Sequence, residues 1–173
     1  MNKNKKFVII NTFLTFALGF LVHGMYSWFP NIFTSIFPVN ESLYEHVKLV
    51  YLSPIFSVLI LGAFYKYKIH NIFFGMFISL LFNILFFYML YLPIYYLLGN
   101  SMIMTLTVYF ISIVASNYIY YLIIKKDSYQ KKYEVYGIIM AILGIFFLTY
   151  FSYYPPKTDF FKDPENNTYG ISK

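Results

Sequence analysis

Five apolar runs, each long enough to cross a bilayer, constrain this chain more than any other feature. They fall near residues 7–29, 43–65, 69–91, 101–124 and 133–153. A helix needs roughly 20 apolar residues to cover a hydrocarbon core of about 30 Å. No water is available there, so each run must close its own backbone hydrogen bonds. The expected fold is all-α: an integral membrane bundle of five transmembrane helices, one domain over 1–153, with a tail over 154–173. Only 12% of the 173 residues are charged, about half the share in a soluble domain. The first run follows Lys3, Lys5 and Lys6 like a signal peptide. It is too long for a signal h-region and lacks a small-x-small cleavage site, so it reads as a retained span.

Charge placement predicts the orientation. With the N-terminus inside, the cytoplasmic segments hold Lys3, Lys5, Lys6, Lys66, Lys68, Lys125, Lys126, Lys131 and Lys132 against Asp127 and Glu134, a balance of +7. The outer segments hold Lys48, Lys157, Lys162 and Lys173 against Glu41, Glu45, Asp159, Asp163 and Glu165, a balance of −1. Positive residues stay on the cytoplasmic side, so the N-terminus is expected inside and the C-terminus outside. The basic residues are all lysine, in a composition rich in Phe, Tyr, Ile and Asn that fits an AT-rich bacterial genome. The expected location is the bacterial cytoplasmic membrane. The lysines alternate with apolar runs rather than forming one basic face, which argues against a nucleic-acid partner. Cysteine is absent, which excludes disulfides, thiolate metal sites and cysteine nucleophiles.

Two connections, 30–39 and 92–99, are apolar for loops, with Ile32, Phe33, Ile36 and Phe37 in the first and Pro93, Tyr95 and Tyr96 in the second. Both are too short to span, and are expected along the outer interface or as re-entrant segments. Small and polar residues recur at helical spacing inside the spans: Thr12, Thr15, Gly19, His23 and Ser27; Gly75, Ser79 and Asn83; Thr105, Tyr109, Ser112 and Ser116; Gly137, Ala141 and Gly144. Such stripes let membrane helices approach closely and bond across the contact. His23 lies about 9 Å below the outer end of its span at 1.5 Å per residue. That depth could bring it near the second span's charged start.

That start is the second informative feature. Asn40-Glu41-Ser42-Leu43-Tyr44-Glu45-His46-Val47-Lys48 packs four ionisable groups into eight residues just before an apolar run. Ionisable groups at a membrane's edge are costly and need a partner or a role. Ser42-x-x-Glu45 has the form of a capping box, in which the hydroxyl caps the helix and the carboxylate reaches back. If the helix includes Glu41, then Glu41, Glu45 and Lys48 share one face, and Ser42, His46 and Ser53 a neighbouring one. Pro54 removes a hydrogen bond to the carbonyl of residue 50. Three chemistries fit. A divalent metal such as zinc could take His46, His23 and a carboxylate, Glu45 foremost. Glu41, Glu45, His46 and Lys48 could serve as acid–base catalysts. Finally, Asn40, Ser42, His23 and Asp163 could bind a headgroup or ion.

The tail carries Pro155-Pro156, Asp163-Pro164 and Tyr169-Gly170 as turn formers, with Phe160, Phe161 and Ile171 as apolar anchors. It is expected to fold over the outer mouth, with Asp159 or Asp163 near the cluster. Together, residues 37–48 and this tail resemble a family of small uncharacterised bacterial multi-pass membrane proteins. Its marks are a Pro-Val-Asn-Glu-Ser-x-x-Glu-His-x-Lys motif and a Pro-Pro…Asp-Pro…Tyr-Gly tail. About 30 residues carry the resemblance, and Tyr44 stands where the family often has Trp. The resemblance implies that Asn40, Glu41, Ser42, Glu45, His46 and Lys48 belong together, and supplies no reaction. Three functions stay open: a metal- or histidine-assisted hydrolase of lipid or lipid-linked substrates, a small transporter or ion- or headgroup-binding protein, and a non-catalytic membrane subunit. The expected partners are the bilayer and a lipid-type substrate; the sequence leaves the oligomeric state open.

Overall fold

Each apolar run folds as one helix in a computed structural model of the protein, which describes residues 2–30, 35–66, 69–99, 101–126 and 131–171. The helices are α1 (Lys3–Trp28), α2 (Leu43–Phe64), α3 (Ile72–Leu98), α4 (Met102–Ile124) and α5 (Lys131–Tyr153), followed by a single 3₁₀ turn, Asp159–Phe161. All five are long and apolar enough to cross a membrane, and no strand occurs among the described residues. Ile32, Phe33, Lys68, Asp127 and Lys173, which entered the loop and charge readings, lie outside the described residues.

One boundary differs from expectation. The connection expected over 92–99 is helical, because α3 continues through Pro93 to Leu98. Proline ends helices in water more readily than in a bundle, where neighbouring groups can answer the freed carbonyl. The Tyr91 and Tyr95 rings, on either side of Pro93 in the sequence, pair with centroids 5.6 Å apart.

α2 is the central helix. Its apolar stretch is 67% buried, against 17% for α5, and it packs on α1, α3 and α5. The small-residue stripes face the contacts of α1 and α3 with α4 and of α5 with α3. Gly19 lies under the Tyr109 ring, Gly75 under Tyr120, and Gly137 directly on the backbone of Phe73. Where small residues bring helices together, polar groups bond across. Tyr51 donates to the Ala141 carbonyl at 3.0 Å and Tyr120 to that of Ile72 at 3.1 Å. Asn11, Ser57 and Asn117 tie α1, α2 and α4 into one network, with both side-chain bonds of Asn11 at 2.7 Å.

The break at Pro54 has a specific answer. Proline has no N–H to give the Val50 carbonyl, and Asn83 of α3 donates to that oxygen at 3.4 Å. The amide is fully buried, so its bond across helices does what the ladder of α2 cannot.

The start of α3 is capped from outside its own sequence. Asn71, at its N-cap, has left-handed backbone (φ 58) and makes no side-chain cap. Glu134 of α5 instead accepts from the amides of Phe73 (2.7 Å) and Phe74 (3.1 Å). A carboxylate suits both the exposed amides and the positive end of the helix dipole. Glu134→Ala is expected to lower stability by about 1 kcal/mol, read from the unfolding midpoint in detergent. Glu134→Gln, which keeps an acceptor, should recover most of it.

Candidate functional site

The charged cluster divides according to where α2 begins. Ser42 is the N-cap, and its hydroxyl accepts from the Glu45 amide at 3.2 Å. Only half of the expected capping box forms. The Ser42 amide donates to Asn40 Oδ1 (3.0 Å) in a local turn, which leaves the Glu45 carboxylate free to face elsewhere. Because the helix starts at Leu43, Glu41 stands outside it and does not share a face with Glu45 and Lys48.

Glu45 and Lys48 form an enclosed pair. Their charged atoms are 2.7 Å apart, with side chains 1% and 0% exposed. Each is also satisfied by the chain around it. Lys48 Nζ donates to the carbonyls of Ser35 (2.6 Å) and Phe37 (3.2 Å). Glu45 accepts from the Val39 amide (3.1 Å) through one oxygen and from the Ser152 hydroxyl (2.5 Å) through the other. The described part of the 30–39 connection is thus folded inward against α2, with Phe37 buried and stacked on Phe56. A buried ion pair is tolerable when its remaining hydrogen bonds are made, and here they are.

The second half of the cluster is open. His46 Nδ1 lies 2.9 Å from the Ser42 carbonyl. That oxygen can only accept, so Nδ1 carries a hydrogen and the ring turns its Nε2 outward. His46 Nε2 lies 3.6 Å from one Glu41 oxygen, and His23 Nε2 lies 3.5 Å from the other. The two rings are 5.6 Å apart. Ligand atoms of His23, Glu41 and His46 all fall within 4.8 Å of one another. The neighbouring His23 imidazole holds the Glu41 carboxyl below the usual range; partial burial opposes this, and His46 adds to it. The carboxylate that meets the two histidines is therefore Glu41, whereas Glu45, expected as the metal-ligating acid, is committed to Lys48.

These three side chains form part of the wall of a cavity of about 820 Å³. Leu49, Val50, Phe87, Leu106 and Tyr109 supply apolar and aromatic wall, and the tail supplies Asp159, Lys162 and Glu165. Ser53 and Tyr109 hydroxyls, 2.6 Å apart, bond beneath it. Asp163 has another place. It is buried in the tail's own turn, where its oxygens accept from the Glu165 amide (2.9 Å) and from Asn166 (3.2 Å). Asn40 reaches the tail instead, through the Gly170 carbonyl at 3.0 Å. Tyr44 stacks on Phe161, with ring centroids 4.3 Å apart, and donates to the Leu148 carbonyl at 2.8 Å.

Sequence reasoning did not single out Ser152, a lone serine among aromatics, or the backbone groups of residues 35–39 that complete the buried pair. It also passed over Asn11, Ser57 and Asn117, although Asn11 lies one turn before Thr15 and Ser57 one turn after Ser53. The model of a family described as a family of unknown function (DUF6512) matches residues 1–171. No curated protein and no solved structure matches the chain.

Proposed function

The chain belongs to this family of unknown function, which lends it no activity, and on its own geometry we propose that it is a multi-pass membrane hydrolase of lipid-type substrates. The observation that carries this is the joining of two imidazoles and a carboxylate to a largely apolar cavity at the end of a membrane-spanning bundle. An amphiphile fits such a wall, with its headgroup linkage at His23, Glu41 and His46 and its chain along Leu49, Val50, Phe87 and Leu106. With the N-terminus cytoplasmic, the cavity opens at the outer leaflet.

The chemistry follows from the groups present. A basic group, Glu41 or the His46 Nε2 lone pair, takes a proton from water as its oxygen bonds to the acyl carbon of an ester. The ester C–O bond then breaks, and the proton passes to the departing alcohol, giving an acid and an alcohol. Lys48 and Glu45 hold the 35–39 segment and the start of α2 in place, so they position His46 without touching substrate.

The test is turnover of ester- and phosphoester-linked lipids in liposomes by the reconstituted protein. His46→Ala and Glu41→Gln are each expected to lower kcat/KM at least about 100-fold, the low end for a lost acid–base group. A wild-type protein that turns over no lipid in either class would sink the proposal. A second reading, passage of an ion, draws on the Thr15 hydroxyl, which is buried with no partner among the described residues. Thr15 lies one helical turn from Asn11 and its bonded network, and one from Gly19 at the cavity. Ion flux into the same liposomes, abolished by Thr15→Val, would select that reading.

A further inference from the structure

We propose that His23, Glu41 and His46 are the ligands of a divalent transition-metal ion of the zinc class, with the cavity supplying its open coordination position. The assignment rests on the same cluster as the hydrolase reading and adds the agent that would activate the water. With the ion bound, His46 Nε2 would be a ligand, and the Glu41 oxygen that does not ligate would be the base.

The spacing argues for it. His–Glu pairs held by direct charge-assisted hydrogen bonds close to about 2.7–2.9 Å, and Lys48–Glu45 in this structure does so at 2.7 Å. The two histidine–Glu41 contacts stop at 3.5 and 3.6 Å. Bonds of about 2.0–2.1 Å to a tetrahedral ion hold ligand atoms roughly 3.3 Å apart. The observed separations are therefore closer to the edge of a coordination tetrahedron than to a direct charge-assisted hydrogen bond. Moreover, each imidazole faces a different oxygen of the same carboxylate, so Glu41 lies between them.

Local structure prepares the ligands. The Ser42 carbonyl fixes His46 by its Nδ1–H and presents Nε2, the arrangement by which ligating histidines are held. Glu45, the acid next to His46 in the chain, cannot compete, because Lys48, Val39 and Ser152 already satisfy it. Two nitrogen donors select against calcium and magnesium, which take oxygen. Three protein ligands beside an open cavity match the form of a catalytic rather than a structural zinc site, where water takes the fourth position.

The experiment uses full-length protein in detergent, purified with a tag free of histidine and without chelator. Metal content is measured by mass spectrometry, then the stripped protein is titrated with Zn²⁺, and with Co²⁺ for its visible ligand-field absorption. One ion per chain is expected. His23→Ala, His46→Ala and Glu41→Gln should each weaken Zn²⁺ binding about 100-fold. His70→Ala, which alters the third histidine of the chain, exposed on the α2–α3 connection, should leave binding unchanged. Glu41→Gln keeps the size of a half-exposed side chain, and its unfolding midpoint confirms that any loss is one of ligation. Zn²⁺ binding that is absent in the wild type, or equal in the triple variant, overturns the assignment. Zn²⁺ uptake without lipid turnover keeps the metal site and removes the hydrolase; lipid turnover without Zn²⁺ uptake does the reverse.

Discussion

Lys48→Met is expected to destabilise the protein by about 3–5 kcal/mol, the cost of stranding a buried charge. The side chain is fully enclosed, and its loss would leave Glu45 without a counter-ion in a place that is 1% exposed. Methionine fills the stem but offers nothing to the Ser35 and Phe37 carbonyls that Nζ now satisfies. The paired variant Lys48→Met with Glu45→Gln should recover most of the loss. Glutamine's one oxygen accepts from the Val39 amide while its NH2 group faces the Ser152 hydroxyl, which can accept, and no charge remains to be desolvated. Reversible unfolding in detergent of the two single variants and the double variant gives the coupling directly. A single-variant loss under about 1 kcal/mol would show that water reaches the pair and that it does not hold the 35–39 segment.

The second large effect is expected at Gly170. Its backbone is left-handed, with φ at 59°, which costs a residue with a side chain roughly 1–2 kcal/mol. A Cβ there would also collide with the Ser152 carbonyl, the oxygen that accepts from Ile171 at 3.0 Å. Overpacking adds about 1–3 kcal/mol. Gly170→Val should therefore release the tail from the end of α5 and from Asn40, which holds the Gly170 carbonyl. Trypsin cleavage at Lys157 and Lys162 reads this, since cleavage follows the population of the opened form. A rise of about 30-fold or more is expected. Cleavage within threefold of the wild type would mean that other contacts, such as Tyr44 on Phe161, hold the tail unaided.

The helices were legible because length and hydropathy are local properties of the chain. So were the inward stripes, since Gly75, Ser79 and Asn83 share a face in any α-helix. Which partner each polar group takes is another matter. Whether Lys48 pairs with Glu41 or Glu45 turns on where α2 begins, a matter of one turn that Asn40 and Ser42 decide together. Ser152 lies 107 positions from Glu45, and no spacing rule reaches that far. The helix through Pro93 was illegible for a different reason: breaker rules are learned in water, and α3 runs on through its proline inside the bundle. Asp163 reads as a turn former from its proline neighbour, and the structure keeps it in that turn, where its carboxylate accepts from Glu165 and Asn166.

The bond between Glu45 and Ser152 also bears on the order in which the protein is made. α2 is synthesised well before α5, carrying a lysine and a glutamate at its head. Lys48 can find its carbonyls as soon as the segment before it is in place, because residues 35–39 precede it in the chain. The second glutamate oxygen has to wait for the last helix, and Asn40 for the tail beyond it. Until then, the first turn of α2 and the histidine it carries remain unfinished at the water's edge. A nascent chain halted before α5 would have every ligand of the proposed metal site but not the wall that holds the α2 ligand still.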